Sequence, residues 1–195
     1  MSYTVSTITD LVASTGAGNV WKEMSYYAAG LFWQWYGYTP SGVNRTFWYR
    51  SSADGINWSA STSYISGLPR YENLTLWWDA PNNKICLSNI NASSQNLLYR
   101  QGTPNNDGTI TWDSAPVVVV INGDLFNNPF PTLCKDSDGY PWISYGLTGA
   151  SGIWIVKATA TDGSTWGTPI KIYGTGVYAR KILPLNNGKM MFVLA

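Results

Sequence analysis

The sequence predicts an all-β protein, and within that class a β-propeller built from four-stranded antiparallel blades. Three observations lead to this prediction. A short motif ending in Trp recurs every 54 residues, apolar strands alternate with turn residues inside each period, and no 3.6-residue apolar pattern is long enough for a major helix. Four short strands in each repeat are typical of a propeller blade. A β-sandwich is the alternative architecture, but it does not require the self-match.

The repeated motif is a polar turn that is closed by a tryptophan. Its copies read "ADGINW" at 53–58, "NDGTITW" at 106–112 and "TDGSTW" at 161–166. The Asp side chain can accept hydrogen bonds from backbone N–H groups of the turn, Gly tolerates a positive φ, and Trp is expected to fold back over its own hairpin. We assign a structural role to Asp54, Gly55, Trp58, Asp107, Gly108, Trp112, Asp162, Gly163 and Trp166.

Other strands recur with the same 54-residue period as this motif. A strand that ends in a basic residue precedes each turn, at Arg50, Arg100 and Lys157. Two apolar strands come earlier in each unit, and their positions are 21–27 and 31–37, 72–78 and 84–90, and 129–135 and 141–146. In the second and third units, "DAPNN" and "DSDGY" join these two strands with ordinary turn residues.

The repeat divides the chain into about three and a half blades, an incomplete propeller. Residues 1–19 are an N-terminal segment, and the predicted blades cover 20–65, 66–121, 122–173 and the start of a fourth at 174–195. The last predicted strand stops before its sheet is complete, which predicts that further blades of the same chain or a homo-oligomer cover it. Six such units would need roughly 324 residues.

The composition excludes several classes of function. Only 12% of the 195 residues are charged, the net charge is +1 and no histidine is present. Without a basic patch we expect neither nucleic-acid binding nor membrane insertion, and without metal-ligand spacings we expect no metal and no cofactor. Eleven Trp and 13 Tyr either fill a β core or form stacking platforms on an exposed face.

The cysteines and the N-terminus bear on the cellular compartment. Cys86 and Cys134 each lie in a predicted strand, which favours two buried free thiols over a disulfide. The first residues lack the features of a signal peptide, whereas four N-glycosylation sequons, at Asn44, Asn57, Asn73 and Asn91, are weak indications of an outside location. A virion or tail-fibre protein would explain both the N-terminus without signal-peptide features and the indications of an outside location, because such a protein is made in the cytosol and leaves the cell inside a particle.

The three turns "SSADGINW", "NNDGTITW" and "TATDGSTW" resemble the Asp-box motifs of the BNR-repeat, sialidase-like β-propellers. The resemblance spans three units, nearly the whole chain. Two copies have the shorter Asp-Gly-x-x-Trp form, and Asn105 stands where the second copy would have Ser. The resemblance implies that these turns lie at the blade periphery and that ligands sit over the central channel.

Candidate ligand-binding residues follow from that placement. Loops that lead into the innermost strands contact the ligand in resembling proteins, and here such loops span 66–73, 122–130 and 174–180. Arginine binds carboxylates through two parallel hydrogen bonds, and tyrosine faces suit sugar rings. The candidates on these loops are Arg70, Tyr71, Glu72, Asp124, Phe126, Tyr178 and Arg180.

The sequence favours a recognition function over catalysis. Resembling sialidases use three arginines, a Tyr–Glu nucleophile pair and an Asp acid/base, but only Arg70 and Arg180 occupy matching positions, and "ARKILP" imitates the Arg-Ile-Pro signature poorly. We therefore predict a non-catalytic propeller for attachment at an extracellular or virion surface, binding carbohydrate or a cell-surface glycan. The alternatives are a fragment of a sialidase-like glycoside hydrolase and a purely structural spacer.

Overall fold

The computed structural model describes residues 25–38, 44–69, 74–91, 94–121, 131–147, 152–174, 179–185 and 189–194. They form antiparallel sheets whose strands follow one another in chain order. Sheet 1 contains β1 (Ser25–Ala28), β2 (Leu31–Tyr38), β3 (Asn44–Ser52) and β4 (Thr62–Pro69). Sheet 3 contains β10 (Thr132–Lys135), β11 (Pro141–Leu147), β12 (Gly152–Lys157) and β13 (Ile170–Tyr173), and sheet 4 contains β14 (Ala179–Pro184) and β15 (Met190–Leu194).

Sheet 2 has five strands, where four were predicted. Its path runs through β5 (Leu74–Asp79), β6 (Lys84–Ile90) and β7 (Leu97–Pro104), and a 3₁₀ turn at Ala80–Asn82 joins the first two. The outer edge of β7 is shared by β8 (Ile110–Trp112) and β9 (Val117–Val120). Pro116 lies between these two short strands and lacks the N–H that a continuous ladder would need.

One predicted loop is partly strand. Residues 66–69 were assigned to the loop before the second blade, but they continue β4, where Leu68 and Pro69 lie opposite Arg45 and Asn44 of β3. A proline is tolerated here because β4 is an edge strand and Pro69 is its last residue.

Two apolar clusters hold the sheets together. The first joins sheets 1 and 2 and includes Trp33, Trp35 and Ile85, whereas the second joins sheets 2 and 3 and includes Cys86 and Tyr99. Successive residues of β6 therefore point to opposite clusters, so both faces of sheet 2 are buried. This burial explains the almost continuous apolar sequence of β6, since each fully buried large side chain contributes roughly 1.5–3 kcal/mol.

Both cysteines are free and buried, as the sequence predicted. Burial raises the pKa of Cys86 to about 11 and that of Cys134 to about 12. The protein as described contains no helix with the length and apolar character needed to cross a membrane.

Candidate functional site

A buried ion pair orients the innermost strands of sheets 2 and 3. Asp79 and Lys135 are the last residues of β5 and β10; Nζ of Lys135 lies 2.9 Å from Oδ2 of Asp79, and each side chain is 7% exposed. β5 and β10 pack side by side and their last residues are paired, so the two strands, which start at Leu74 and Thr132, run in the same direction. β10 also packs beside β14, the innermost strand of sheet 4.

This arrangement gives the molecule two distinct edges. The edge at which β5 and β10 begin, with segments 70–73 and 122–130 before them, is called the loop edge. The edge at which these strands end, with the turns at 79–84 and 136–140, is called the turn edge. The three Asp-Gly turns also lie at the turn edge, because β3, β7 and β12 are antiparallel to the strands that leave it.

The sequence-predicted ligand residues lie almost entirely outside the described part of the chain. Six of them lie outside the described residues, and these are Arg70, Tyr71, Glu72, Asp124, Phe126 and Tyr178. Arg180 is the second residue of β14, and its backbone is described but its side chain is not. Their role in ligand binding therefore stays a prediction.

Each of the three Asp-Gly turns is organised by its aspartate. Oδ1 of Asp54 accepts hydrogen bonds from the N–H groups of Ile56 (2.8 Å) and Asn57 (2.7 Å), and those bonds hold the pKa of Asp54 well below its ordinary value. The N–H groups of Thr109 and Ser164 donate in the same way to Asp107 and Asp162, both at 2.9 Å.

Side-chain and backbone bonds from the same residues lower the pKa of these two aspartates as well. Thr109 acts on Asp107, and Ser164 acts on Asp162. The glycines Gly55, Gly108 and Gly163 have φ values of +73°, +83° and +71°. These φ values lie in the left-handed region. Glycine occupies the position because it has no Cβ and enters this region without steric cost.

The tryptophans of these turns do more than close their own hairpins. The ring of Trp112 packs against Tyr64 of sheet 1, with centroids 5.1 Å apart, and Trp166 packs edge-on against Tyr99 of sheet 2 at 5.3 Å. Both also cover their own hairpins, as the sequence predicts: the indole N–H of Trp166 donates to the Gly163 carbonyl at 2.8 Å, and the Trp112 ring lies under Arg100 of the preceding strand. Each of these two side chains therefore closes its own hairpin and also joins its sheet to the neighbouring one.

The basic residues that precede the turns lie on aromatic rings. The guanidinium carbon of Arg50 is 5.0 Å from the ring centre of Trp58, and that of Arg100 is 4.5 Å from Trp112. Nζ of Lys157 lies 5.1 Å from the Trp142 ring. Sequence reasoning noted the three basic residues but did not assign them partners.

A cleft of about 300 Å³ opens at the turn edge between sheets 2 and 3. Its lining comes from the first turns of both sheets, from β7 and β10, and from the third Asp-Gly turn: Asn82, Lys84, Gln101, Lys135, Asp138, Gly139, Thr161 and Asp162. These residues are polar apart from Gly139, although carbon atoms supply somewhat more than half of the lining surface. Sequence reasoning treated these segments only as connecting turns. The signal it missed is that three polar turns recur at the same end of adjacent strands.

The floor of the cleft is held by buried polar contacts. Gln101 is 8% exposed; its Oε1 accepts a bond from the Tyr99 hydroxyl at 3.0 Å, and its Nε2 donates to Asp113 at 2.9 Å. The Lys135–Asp79 ion pair forms the rest of the floor. Within the described ranges, no three His, Cys, Asp or Glu side chains are grouped closely enough to hold a metal ion.

Comparison with known proteins identifies the architecture. No family model and no curated protein matches the chain. Among solved structures, it is similar to an α-L-arabinofuranosidase from Lactobacillus brevis, with 14% identity, a TM-score of 0.51 and coverage of 87% of this chain and 63% of that one. It is also similar to a GH43 β-1,3-galactosidase, with 11% identity, a TM-score of 0.50 and coverage of 80% and 39%.

The GH43 glycoside hydrolases have a five-bladed β-propeller fold. The present chain is a β-propeller too. Its described sheets are antiparallel and are not closed into a ring, as expected of an incomplete propeller. The predicted fold class is therefore confirmed. The chain spans less than two thirds of the length of either matched structure. The structural similarity is to GH43 propellers, whereas the sequence motifs resemble those of the sialidase-like ones.

Proposed function

We propose that this chain is a non-catalytic β-propeller that binds glycans and serves attachment at an extracellular or virion surface. The observation that carries the proposal is the common direction of β5 and β10, which pack side by side with their last residues paired. The segments that carry Arg70, Tyr71, Glu72, Asp124 and Phe126 directly precede these two strands. Neighbouring strands that run in the same direction start at one edge of the fold, and the proposal assigns the ligand to that edge.

The chemistry of these segments suits a sugar. Arginine offers paired donors to carboxylate or hydroxyl groups, and aromatic rings offer flat apolar faces to a sugar ring. Tyr178 and Arg180 add the same two groups beside β14, which packs next to β10. Two similar propellers are glycoside hydrolases by name, which is consistent with a sugar ligand.

A glycan array followed by calorimetry tests the proposal. We expect the chain to bind at least one glycan, and Tyr71→Ala and Arg180→Ala each to weaken binding by roughly tenfold or more, the loss of one stacking or charge-assisted contact. Tyr27→Ala is the matched control, because Tyr27 is 57% exposed but lies at the turn edge of sheet 1. Absence of binding to every glycan would leave the structural spacer as the better account.

A sialidase-like glycoside hydrolase is the second candidate, and similarity to hydrolase folds favours it. A glycosidase needs a carboxylic acid whose pKa is raised so that it can donate a proton. The shifted carboxyl groups of the described residues, Asp54, Asp107, Asp136 and Asp162, all have lowered pKa values. The catalytic alternative is assigned to Glu72 and Asp124, the two acidic residues among the sequence-predicted ligand residues.

Sugar release separates the two candidates. Incubation with sialylated, arabinose-containing and galactose-containing oligosaccharides is expected to release no free sugar. Release that disappears in both Glu72→Gln and Asp124→Asn, with glycan binding retained, would show that the chain is an enzyme. The two amide variants keep the shape of the side chain, so a loss of folding does not confuse the result.

A further inference from the structure

The charged side chains in and around the cleft at the turn edge fall into two groups: two lysines that pair with aspartates, and two further aspartates. Lys84 pairs with Asp113 at 2.6 Å, and Lys135 pairs with Asp79 at 2.9 Å. Asp138 and Asp162 contribute two further carboxylates to the lining. The lining itself carries two lysines and two aspartates, and the lysines are paired with Asp113 and Asp79 behind it. Counted with these two partners, the cleft and its immediate surroundings have two more carboxylates than lysines.

The cleft offers acceptors and donors in a fixed arrangement. Both bonds that Ser164 makes to Asp162 use Oδ1, at 2.9 and 2.7 Å, and this holds the carboxylate in one orientation. The backbone of Asp138 is held by its N–H, which donates to Oδ1 of Asp136 at 3.1 Å. Asn82 donates through Nδ2 to both oxygens of Asp79, at 3.1 and 3.0 Å, so this amide is oriented as well.

Volume and polarity limit the ligand class. At about 300 Å³, the cleft lies at the small end of ligand sites and has room for one ring rather than a chain of sugars. Its charged and hydrogen-bonding groups suit a ligand that carries hydroxyl or ammonium groups, and the carbon surface between them suits the faces of a ring. The excess carboxylates accept hydrogen bonds from hydroxyl and ammonium groups, and they repel a ligand that carries its own carboxylate.

We propose that this cleft is a binding site for a single neutral or amino sugar. In this assignment, Asp138 and Asp162 accept hydrogen bonds from the hydroxyl or ammonium groups of the ring, and the hydroxyl of Thr161 and the amide of Asn82 complete its polar contacts. The site lies at the ends of β5 and β10 rather than at their starts, and it does not depend on the residues of the proposed function.

Titrations followed by NMR of the ¹⁵N-labelled chain test the site. The probes are glucosamine, glucose and glucuronate, which differ in charge but share the ring. We expect glucosamine and glucose to move the amide signals of Gly139 and Thr161 in a saturable way, and glucuronate to leave them in place. Asp138→Asn is expected to weaken glucosamine binding by roughly three- to tenfold, as for loss of one charged contact at a partly exposed site.

Two control variants keep this test separate from the proposed function. Ser137→Ala changes the neighbouring position without touching the lining, and Tyr71→Ala changes the loop edge; neither should alter the glucosamine titration. The proposal is overturned if no probe moves the Gly139 and Thr161 signals, if glucuronate binds as tightly as glucosamine, or if Asp138→Asn binds glucosamine with unchanged affinity. Loss of glucosamine binding in Tyr71→Ala would assign the ligand to the loop edge instead.

Discussion

At the scale of single residues, the Asp-Gly pair explains each of the three repeated turns. The aspartate satisfies backbone N–H groups that the turn leaves without strand partners, and the glycine adopts the positive φ. These effects are local, and the sequence therefore predicted them from two adjacent residues. The side chains that surround each glycine come from distant parts of the sequence, and they differ from turn to turn.

Gly163 and Gly30 allow the cost of a left-handed backbone to be measured separately from the cost of crowding by surrounding side chains. Both have positive φ, but a Cβ added at Gly163 would overlap the ring of Tyr99, whereas one added at Gly30 meets nothing within 4 Å. We expect Gly30→Ala to lower the free energy of unfolding by about 1–2 kcal/mol, the cost of the left-handed backbone alone. Gly163→Ala should lose a further ~1–3 kcal/mol through overpacking.

Urea unfolding of both variants measures this difference. Equal losses would mean that the Tyr99 ring moves aside freely and that the contact between sheets 2 and 3 is loose at this point.

At the scale of strands and sheets, the ends of β5 and β10 are joined by a charge pair rather than by apolar contact. Two charges that are each 7% exposed have lost most of their hydration, and their mutual attraction offsets that loss. The pair therefore specifies how sheet 3 is placed against sheet 2. It links residues of two different sheets, so no pattern within a single strand predicts it.

Removal of one member of this pair should be more damaging than removal of both. We expect Asp79→Leu to lower the free energy of unfolding by about 3–5 kcal/mol, because it leaves the Lys135 ammonium buried without its partner, and Lys135→Met added to it should recover much of that loss. Lys84→Met is the comparison, since Lys84 and Asp113 are 25% and 31% exposed and their pair should contribute about 1 kcal/mol or less.

A double-mutant cycle by chemical denaturation gives the coupling energy. A value near zero for Asp79 and Lys135 would contradict the account of a buried, structure-determining pair.

At the scale of the whole molecule, the titratable groups predict how stability depends on pH. The pKa values of Asp54, Asp107 and Asp162 are lower in the folded chain than the ordinary carboxyl value near 4. Their contribution to stability is therefore complete above that value and is lost as the pH falls through the lowered ones. No histidine is present to titrate between these carboxyls and neutral pH.

The expected result is a flat stability profile from about pH 8 to pH 5 and a decline below about pH 4. The urea midpoint measured across this range tests it. Asp107→Asn, which cannot ionise at this position, should show a shallower decline in acid than the unchanged chain. A marked loss of stability between pH 7 and pH 5 would contradict the assignment.

The sequence by itself determined the class of fold and the positions of the strands. Alternating apolar residues and Asp-Gly turns act over a few neighbouring residues, so strands such as β6 and β11 and the three turns followed from their local chemistry. The strand at residues 66–69 and the fifth strand of sheet 2 did not follow, because both depend on pairing with strands that are distant in the sequence, β3 and β7.

Only the tertiary structure decided which side chains meet across the sheets. Trp112 with Tyr64, Trp166 with Tyr99 and Lys135 with Asp79 are contacts between different repeats. The cleft at the turn edge exists because three polar turns from two sheets converge there. Strand patterns state which face of each strand is apolar, but they do not state the distance or angle at which one sheet packs on the next, and these contacts depend on both.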